Sequence, residues 1–159
     1  MAAILERAQE RLALLQRTES IAIVGMSKNT SRSSHFVATY LAGSTDFDVY
    51  YVNPRETEIL DQPVYASLAD LPVVPDMVDV FRRTDDLPDV TAEAIAAGAS
   101  SVWFQLGLVH PDAASSAVAA GLDVVQDRCV KIEHARFRGG LHTAGFNTGV
   151  IDSRRSRLV

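Results

Sequence analysis

A short apolar run that stops at a glycine constrains the fold more than any other part of this sequence. Residues 21–24 (IAIV) have the β-branched, apolar composition of a strand buried on both faces of a parallel sheet. Gly25 follows at once, then a small and polar loop over residues 26–34, then a segment whose apolar residues have helical spacing, beginning at Phe36. A strand, a glycine turn and a helix form the opening unit of a doubly wound nucleotide-binding sheet. The sequence therefore predicts an anion site at this helix N-terminus.

Further strands and helices alternate along the chain. We predict strands at 47–52, 77–81, 101–106 and 122–126, a short edge element at 59–65 and a helical turn at 67–72. Helices are predicted at 3–17, 86–97 and 127–137, together with one that Asp112 caps and that ends at Gly121. This alternation predicts an α/β fold, a mostly parallel Rossmann-like sheet with right-handed crossovers and helices on both faces.

The domain organisation follows from the length of the chain. Its 159 residues predict one domain, with a core at about residues 15–138, the N-terminal helix at 3–17 and a C-terminal tail at 139–159. The tail is rich in glycine and basic residues, and its Arg154, Arg155 and Arg157 are expected to be solvated or disordered.

Composition excludes several classes of protein. The net charge of −5 argues against nucleic acid as the main partner, and the single cysteine excludes an internal disulfide and a cysteine-rich metal site. The four histidines show no metal-ligand spacing. No apolar run approaches the ~20 residues of a membrane span, and charged residues interrupt the apolar N-terminal pattern, so we expect neither a signal peptide nor a membrane partner. A cytoplasmic location is the expectation.

The strand ends are the places to look for a ligand, because open α/β sheets bind ligands beyond the carboxyl ends of their strands. Those ends are residues 25–32, 53–55, 81–84 and 105–107. The first loop matches only the first glycine of the dinucleotide fingerprint, since Ser27 and Thr30 occupy the positions of the other two. Its hydroxyls, with Lys28 and Arg32, nevertheless suit a phosphate, and a solvated turn is the alternative.

The end of the second long strand favours a phosphorylated ribose. An NAD site places a carboxylate there, whereas this chain reads Asn53-Pro54-Arg55. An arginine suits a phosphate on the ribose, although Asn53-Pro54 as a plain turn beside a solvated Arg55 is the alternative. The residues alone do not separate a 3′-phosphate from the 2′-phosphate of NADP.

Five motifs in a fixed order resemble a known family. They are Gly25-x-Ser27, Val52-Asn53-Pro54-Arg55, Asp79-Val80-Phe81-Arg82, Trp103-x-Gln105-x-Gly107 and Asp127-Arg128-Cys129-x-Lys131-Ile132-Glu133-His134. Together they look like the small stand-alone CoA-binding proteins, which are similar to the N-terminal CoA-binding domain of the succinyl-CoA synthetase α subunit. The resemblance covers residues 15–138.

This resemblance implies coenzyme A or an acyl-CoA as the ligand. By that likeness the pyrophosphate or pantetheine would contact Gly25, Ser27, Lys28 and Asn29, with Arg32 as a second cation. The adenosine would lie by Asn53, Pro54 and Arg55, with Arg55 at its 3′-phosphate. The groove would be completed by Phe81, Arg82, Gln105 and Gly107.

The resemblance does not extend to ligase activity, because the synthetase carries its phosphorylated histidine in a second domain. Cys129, beside Arg128 and Lys131, could react as a thiolate or pair with a CoA thiol, but a small buried hydrophobe is the favoured interpretation. His134 lies five residues further on, which on a helix points it away from Cys129.

The sequence is thus interpreted as a non-catalytic CoA carrier, sensor or partner of a larger enzyme, with a homodimer through the N-terminal helix left open. The alternative is an NADP-dependent oxidoreductase, which is disfavoured because no Tyr-x-x-x-Lys pair and no substrate domain are found. A ligand-free interaction module is the third possibility.

Overall fold

The computed structural model describes residues 1–138, which form a seven-stranded sheet between two layers of helices. The strands are β1 (Ser20–Val24), β2 (Asp48–Val52), β3 (Glu58–Ile59), β4 (Gln62–Tyr65), β5 (Met77–Val80), β6 (Ser101–Phe104) and β7 (Asp123–Val125). The helices are α1 (Ala8–Arg17), α2 (Ser33–Ser44), α3 (Leu87–Ala97), α4 (Pro111–Ala119) and α5 (Val130–Arg138). Short 3-10 turns occur at Leu68–Asp70 and Thr84–Asp86.

The strand order is β3-β4-β2-β1-β5-β6-β7, and every neighbouring pair is parallel except β3 with β4. The chain moves outward from β1 in one direction through β2 and in the other through β5. The order therefore reverses between β1 and β5, where the loops after those two strands separate and leave room for a ligand. The expected Rossmann-like α/β fold is confirmed.

Alternating side chains of the central strands supply two apolar cores. Ile21 and Ile23 of β1 face α1, α2 and α5, whereas Ala22 and Val24 face α3 and α4. Trp103 and Phe104, predicted as core, are fully buried on opposite faces of β6. Burial on both faces explains why these strands read as continuous apolar runs.

Two helix starts differ from the prediction. The first helix begins at Ala8 and not at residue 3, because Glu10 reaches back to the backbone N–H of Arg7 (2.9 Å) and caps the helix there. The residues before it run extended beside β7, where Leu5 N–H donates to Val124 O (2.7 Å). The cap of α4 is His110, whose Nδ1 accepts from Ala113 N–H (3.1 Å), and not Asp112.

Smaller differences concern element ends. The edge element at 59–65 is a hairpin of β3 and β4, with Leu60 and Asp61 in the left-handed region that a tight two-residue turn requires. The last helix begins at Val130 and not at residue 127, where Asp127 also has a positive φ. The predicted tail at 139–159 lies outside the described residues. No helix among residues 1–138 is long and apolar enough to cross a membrane.

A buried ionic cluster joins the N-terminal and C-terminal helices. Glu133 of α5 is fully buried, with Arg11 of α1 at 3.4 Å and Arg128 at 3.6 Å from its carboxylate oxygens. Arg11 also donates to the backbone oxygen of Glu6 (2.6 Å). Removing the central charge of such a cluster leaves two buried cations without their anion, which is strongly destabilising.

We predict that Glu133→Gln lowers the free energy of unfolding by about 3–5 kcal/mol, because the two guanidinium groups lose the anion between them. Urea denaturation with a circular dichroism readout measures the change. Glu6→Gln makes the same substitution at an exposed side chain and is expected to change stability by less than ~0.5 kcal/mol. Equal effects of the two substitutions would contradict a structural role for the buried cluster.

Candidate functional site

The loops after β1 and β5 start in close contact, at Gly25 and Phe81, before they separate. Gly25 N–H donates to Val52 O (3.0 Å), and Phe81 N–H donates to Val24 O (2.9 Å). Gly25 has φ +84°, and a Cβ at this position would lie 2.2 Å from the carbonyl oxygen of Phe81. This close contact and the positive φ therefore require glycine at position 25. The dinucleotide fingerprint suggests that this glycine also lets a phosphate approach closely. A larger residue at position 25 cannot test that idea, because it would disturb the fold itself.

The loop after Gly25 is held in shape by its own side chains. Ser27 N–H donates to Ser34 Oγ (3.1 Å), Asn29 N–H to Ser27 Oγ (3.1 Å) and Ser31 N–H to Asn29 Oδ1 (3.0 Å). In the structure, side chains of the predicted polar cluster thus make hydrogen bonds that hold the loop itself. At its end α2 begins. His35 N–H donates to Arg32 O (3.1 Å), whereas the two N–H groups before it have no i−4 carbonyl within the helix, which favours an anion beside them.

Asn53, at the end of β2, connects this loop to the next one. Its Nδ2 donates to Met26 O (2.7 Å), and its Oδ1 accepts from the backbone N–H of Arg55 (2.9 Å). The side chain thereby sets the positions of both the glycine loop and the Asn53-Pro54-Arg55 turn. Residues 54–55 form a turn with Arg55 exposed, and Asn53 and Glu56 on either side contact the glycine loop. Whether Arg55 binds a phosphate stays a prediction.

A cavity of about 480 Å³ opens between the glycine loop and the ends of β5 and β6. It contains six of the residues predicted from the sequence: Gly25, Ser27, Arg32, Phe81, Arg82 and Gln105. Ser33 and Ser34 belong to the hydroxyl-rich loop that was predicted to suit a phosphate, and Leu106 lies within the predicted strand end 105–107. The remaining lining residues were not predicted: Val37, Leu108 and Cys129. They come from the first turns of α2, the loop after β6 and the junction before α5, whose meeting no local pattern indicates.

A second, smaller cavity of about 190 Å³ lies on the other side of Arg82. Pro54, Ser67 and the carboxylates of Asp86, Asp89 and Glu93 contribute to its lining. Arg82 lines both cavities, and its guanidinium lies 3.5 Å from Asp86. The two cavities therefore share Arg82 in their linings, at the point where the strand order reverses.

The other predicted site residues lie outside both cavities. Lys28 is exposed and 3.7 Å from Glu56, and Arg55 is exposed next to Pro54 of the second cavity. Asn29 and Asn53 hold the loops, as described above. Gly107 has φ +83°, and its N–H donates to Asp127 Oδ1 (2.8 Å), so it shapes the loop after β6. Whether any of these residues contacts a ligand stays a prediction.

Two larger cavities lie away from the strand ends. One, of about 550 Å³, is at the opposite edge of the sheet, near Glu19 and Asp48 where β1 and β2 begin. The other, of about 670 Å³, lies beside α3 near Val74. Neither contains a glycine loop or a helix N-terminus of the kind that binds phosphate, so size alone does not identify the site.

A buried carboxyl lies behind the first cavity. Asp79 of β5 is fully buried, and its Oδ1 accepts a hydrogen bond from Gln105 Nε2, whereas its Oδ2 has no hydrogen-bond partner among residues 1–138. Burial raises the pKa of Asp79 to about 7 from the ordinary 3.8, and the hydrogen bond from Gln105 opposes the rise. The carboxyl therefore changes charge near neutral pH.

Cys129 is also a buried side chain, and burial raises the pKa of its thiol. The thiol is therefore not activated by Arg128 and Lys131, and the favoured interpretation as a small buried residue is correct. His134 is held by Tyr40, whose Oη lies 2.8 Å from Nδ1, so it does not pair with Cys129. No group of residues within 1–138 has the composition and proximity of a metal site.

The buried carboxyl makes stability depend on pH. Because the pKa of Asp79 is higher in the folded chain, its ionisation penalises folding progressively from pH ~4 to pH ~7 and fully above that. We predict that Asp79→Asn removes this dependence, so that the variant gains about 4 kcal/mol of unfolding free energy over wild type between pH 4 and pH 8. Urea denaturation across this pH range measures the gain.

Asp46→Asn, at an exposed carboxylate, is the control and is expected to track wild type at every pH. If the difference between Asp79→Asn and wild type stays constant across the range, Asp79 does not titrate as described.

Comparison with known proteins agrees with this geometry. Residues 19–135 match the protein family described as CoA binding domain. The uncharacterised protein YneT of Bacillus subtilis (strain 168) is 35% identical over 122 residues, which are 77% of this chain and 90% of that protein. The structure of a hypothetical protein from Pyrococcus horikoshii OT3 is 32% identical with a TM-score of 0.79, covering 87% of this chain and 99% of the other.

A larger enzyme shares the fold. The apo form of a dinucleotide-forming acetyl-coenzyme A synthetase 1 from Ca. Korarchaeum cryptofilum superimposes with a TM-score of 0.67 over 74% of this chain and 28% of its own. At 20% identity this likeness concerns the fold alone.

Proposed function

This chain belongs to the CoA binding domain family, and on that premise we propose that it holds coenzyme A, or an acyl-CoA, across the two cavities that meet at Arg82. The observation that carries the proposal is that two cavities share Arg82 at the strand-order reversal, and we take them together as one bent groove. CoA has a pyrophosphate between an adenosine and a long pantetheine arm. A ligand of that shape suits a groove with a cation at its bend and a cavity on each side.

The chemistry of the two cavities assigns the two ends of the ligand. The smaller cavity carries Ser67 and three carboxylates, which can accept hydrogen bonds from the exocyclic amine of adenine. The larger cavity has apolar walls from Val37, Leu106 and Leu108, which suit the pantetheine arm. The adenosine is therefore assigned to the smaller cavity and the pantetheine to the larger one.

The pyrophosphate is assigned to the bend of the groove. There the side chains of Arg32 and Arg82 and the first turn of α2 supply two cations and backbone donors. Arg55 lies outside the groove beside the adenosine side, where its exposed guanidinium can reach a 3′-phosphate.

The assigned role is binding without turnover, as in a carrier, a sensor or a partner of a larger enzyme. Asp79 lies behind the larger cavity, where Gln105 covers its carboxyl, and the thiol of Cys129 in the cavity wall has a raised pKa. Neither group offers an acid or base to a bound thioester, because the Asp79 carboxyl has no exposed surface and the raised pKa of the Cys129 thiol disfavours its thiolate. The observation supports a protein whose output is the bound state.

We predict that Arg82→Ala raises the dissociation constant for CoA by at least about tenfold, because the pyrophosphate loses a cation that faces both cavities. Isothermal titration calorimetry measures the change.

Arg83→Ala is the matched control. Arg83 is the next residue, its side chain is 88% exposed, and its guanidinium lies 3.6 Å from the same Asp86, but it lines neither cavity. It is expected to bind CoA within about twofold of wild type. Equal losses in both variants would reduce the effect to general charge and contradict the assigned groove.

The role of Arg55 has its own test. If its guanidinium contacts the 3′-phosphate, Arg55→Ala weakens CoA by about tenfold and leaves dephospho-CoA, which lacks that phosphate, unchanged. The ratio of the two dissociation constants is the measurement. A variant that loses the same factor for both ligands removes Arg55 from the 3′-phosphate while leaving the groove itself in place.

A further inference from the structure

Two buried polar side chains line the larger cavity, and each has one hydrogen-bonding group left over. Ser34, in the first turn of α2, is 3% exposed, and Gln105, just after β6, is 5% exposed. They reach the cavity from different elements, a helix and a strand end, and Val37, Leu106 and Leu108 supply apolar wall around them. Buried polar groups of this kind normally have hydrogen-bond partners, so a ligand that supplies those partners is favoured here.

Asp79 fixes the orientation of the Gln105 amide. Gln105 Nε2 donates to Oδ1 of the fully buried Asp79 on β5, the strand next to β6. An ionised carboxylate only accepts hydrogen bonds, so the NH2 group of the amide must face it. The carbonyl oxygen Oε1 accepts no hydrogen bond from residues 1–138, yet it is not among their fully buried unpartnered atoms, so it keeps some open surface. Gln105 therefore offers an unused acceptor to the cavity that it lines.

The Ser34 hydroxyl has the complementary group left over. Its Oγ accepts from the backbone N–H of Ser27 (3.1 Å). A hydroxyl also carries one proton that it can donate, and within residues 1–138 no oxygen receives the proton of Ser34. Ser34 thus offers an unused donor to the same cavity.

An unused donor and an unused acceptor in one cavity match a secondary amide. The N–H and the C=O of such an amide point in opposite directions, and each needs one partner. The pantetheine arm of CoA contains two secondary amides separated by apolar carbon segments. The polar pair and the apolar walls of this cavity fit that alternation.

We propose that Gln105 and Ser34 bind one amide of the pantetheine arm: Gln105 Oε1 accepts from the amide N–H, Ser34 donates to the amide oxygen, and Asp79 positions Gln105. The proposal rests on the function proposed above, since it takes the same cavity and ligand, and it adds the chemical group by which the cavity selects the arm. An arm without an amide would leave both protein groups buried and unmet, which costs affinity.

Gln105→Met keeps the length of the side chain and removes the acceptor. The dissociation constant for CoA is expected to rise by about tenfold, whereas that for adenosine 3′,5′-bisphosphate, which has no pantetheine arm, is expected to stay within about twofold of wild type. Isothermal titration calorimetry at pH 8 measures both constants. Gln62→Met, at an exposed side chain of β4 that lines neither cavity, is the control and is expected to bind both ligands as wild type does.

Ser34→Ala removes the donor, but it also removes the acceptor for Ser27 N–H that holds the loop. The measurement is therefore the ratio of the two dissociation constants and not the CoA constant alone. The preference for CoA over the bisphosphate is expected to fall by about tenfold in Ser34→Ala, and Ser34→Thr, which keeps the hydroxyl, is expected to restore most of it. An unchanged ratio in Ser34→Ala would assign Ser34 to the loop alone and overturn its part in the amide site.

Asp79→Asn tests the positioning role. Asparagine offers both a donor and an acceptor, so the Gln105 amide can turn over, and the dissociation constant for CoA at pH 8 is expected to rise by at least about twofold. The same variant is expected to be more stable than wild type at this pH, as predicted above, so binding weakens while stability rises. A residue that only supported the fold would lose both together. Unchanged CoA affinity in Asp79→Asn would remove Asp79 from this role.

These titrations separate failure of the amide site from failure of the proposed function. If wild type binds CoA and Gln105→Met binds it equally well, the amide site is wrong and the groove assignment stands. Equal losses of CoA and of the bisphosphate in Gln105→Met would also overturn the amide site, because they would show damage to the cavity as a whole. If wild type does not bind CoA, the proposed function fails, and the amide site fails with it.

Discussion

The close contact between the backbones of Gly25 and Phe81 is the constraint on which the rest of the site depends. β1 pairs with β2 on one side and with β5 on the other. The loops that follow β1 and β5 therefore start next to each other and must then run apart. They do so with no space for even a methyl group on Gly25. From this contact the glycine loop continues to α2, and Arg82 follows Phe81 at the carboxyl end of the sheet. Arg82 lies there between the two cavities and lines both.

Two buried carboxyls show how the same residue chemistry serves different purposes. Glu133 lies between Arg11 and Arg128, and its charge joins the first and last described helices. Asp79 has one amide donor and no cation among its described contacts, so its burial raises its pKa instead of being compensated. The arrangement around Glu133 stabilises the fold. The arrangement around Asp79 leaves an unsatisfied oxygen behind the candidate site and makes the free energy of unfolding depend on pH.

Much of the fold could be predicted from the sequence because it is written in local periodicity. Continuous apolar runs such as residues 21–24 identify strands buried on both faces, and Gly98 ends α3 in the left-handed conformation as expected. The start of α1 was missed because the reach of Glu10 back to Arg7 competes with an apolar pattern that extends further. The cap of α4 was missed because His110 is an uncommon capping residue next to a common one, Asp112.

The site was predictable only where strand ends supply it. The rule that ligands bind beyond parallel strands selected segments that supply seven residues of the larger cavity, yet it could not find Val37 or Leu108, which tertiary packing brings there. It also selected Asn53, whose side chain holds the glycine loop through Met26, a role that the rule did not predict.

The central claim is that the groove at Arg82 binds CoA, and the most direct measurement is calorimetric titration of the wild-type chain with CoA and with NADP. The account predicts saturable binding of one CoA per chain, with NADP unable to compete at the same concentration. Binding of NADP in preference to CoA would contradict the account and support an oxidoreductase. No binding of either ligand would contradict it as well and would leave the groove without the occupant that its shape and charges favour.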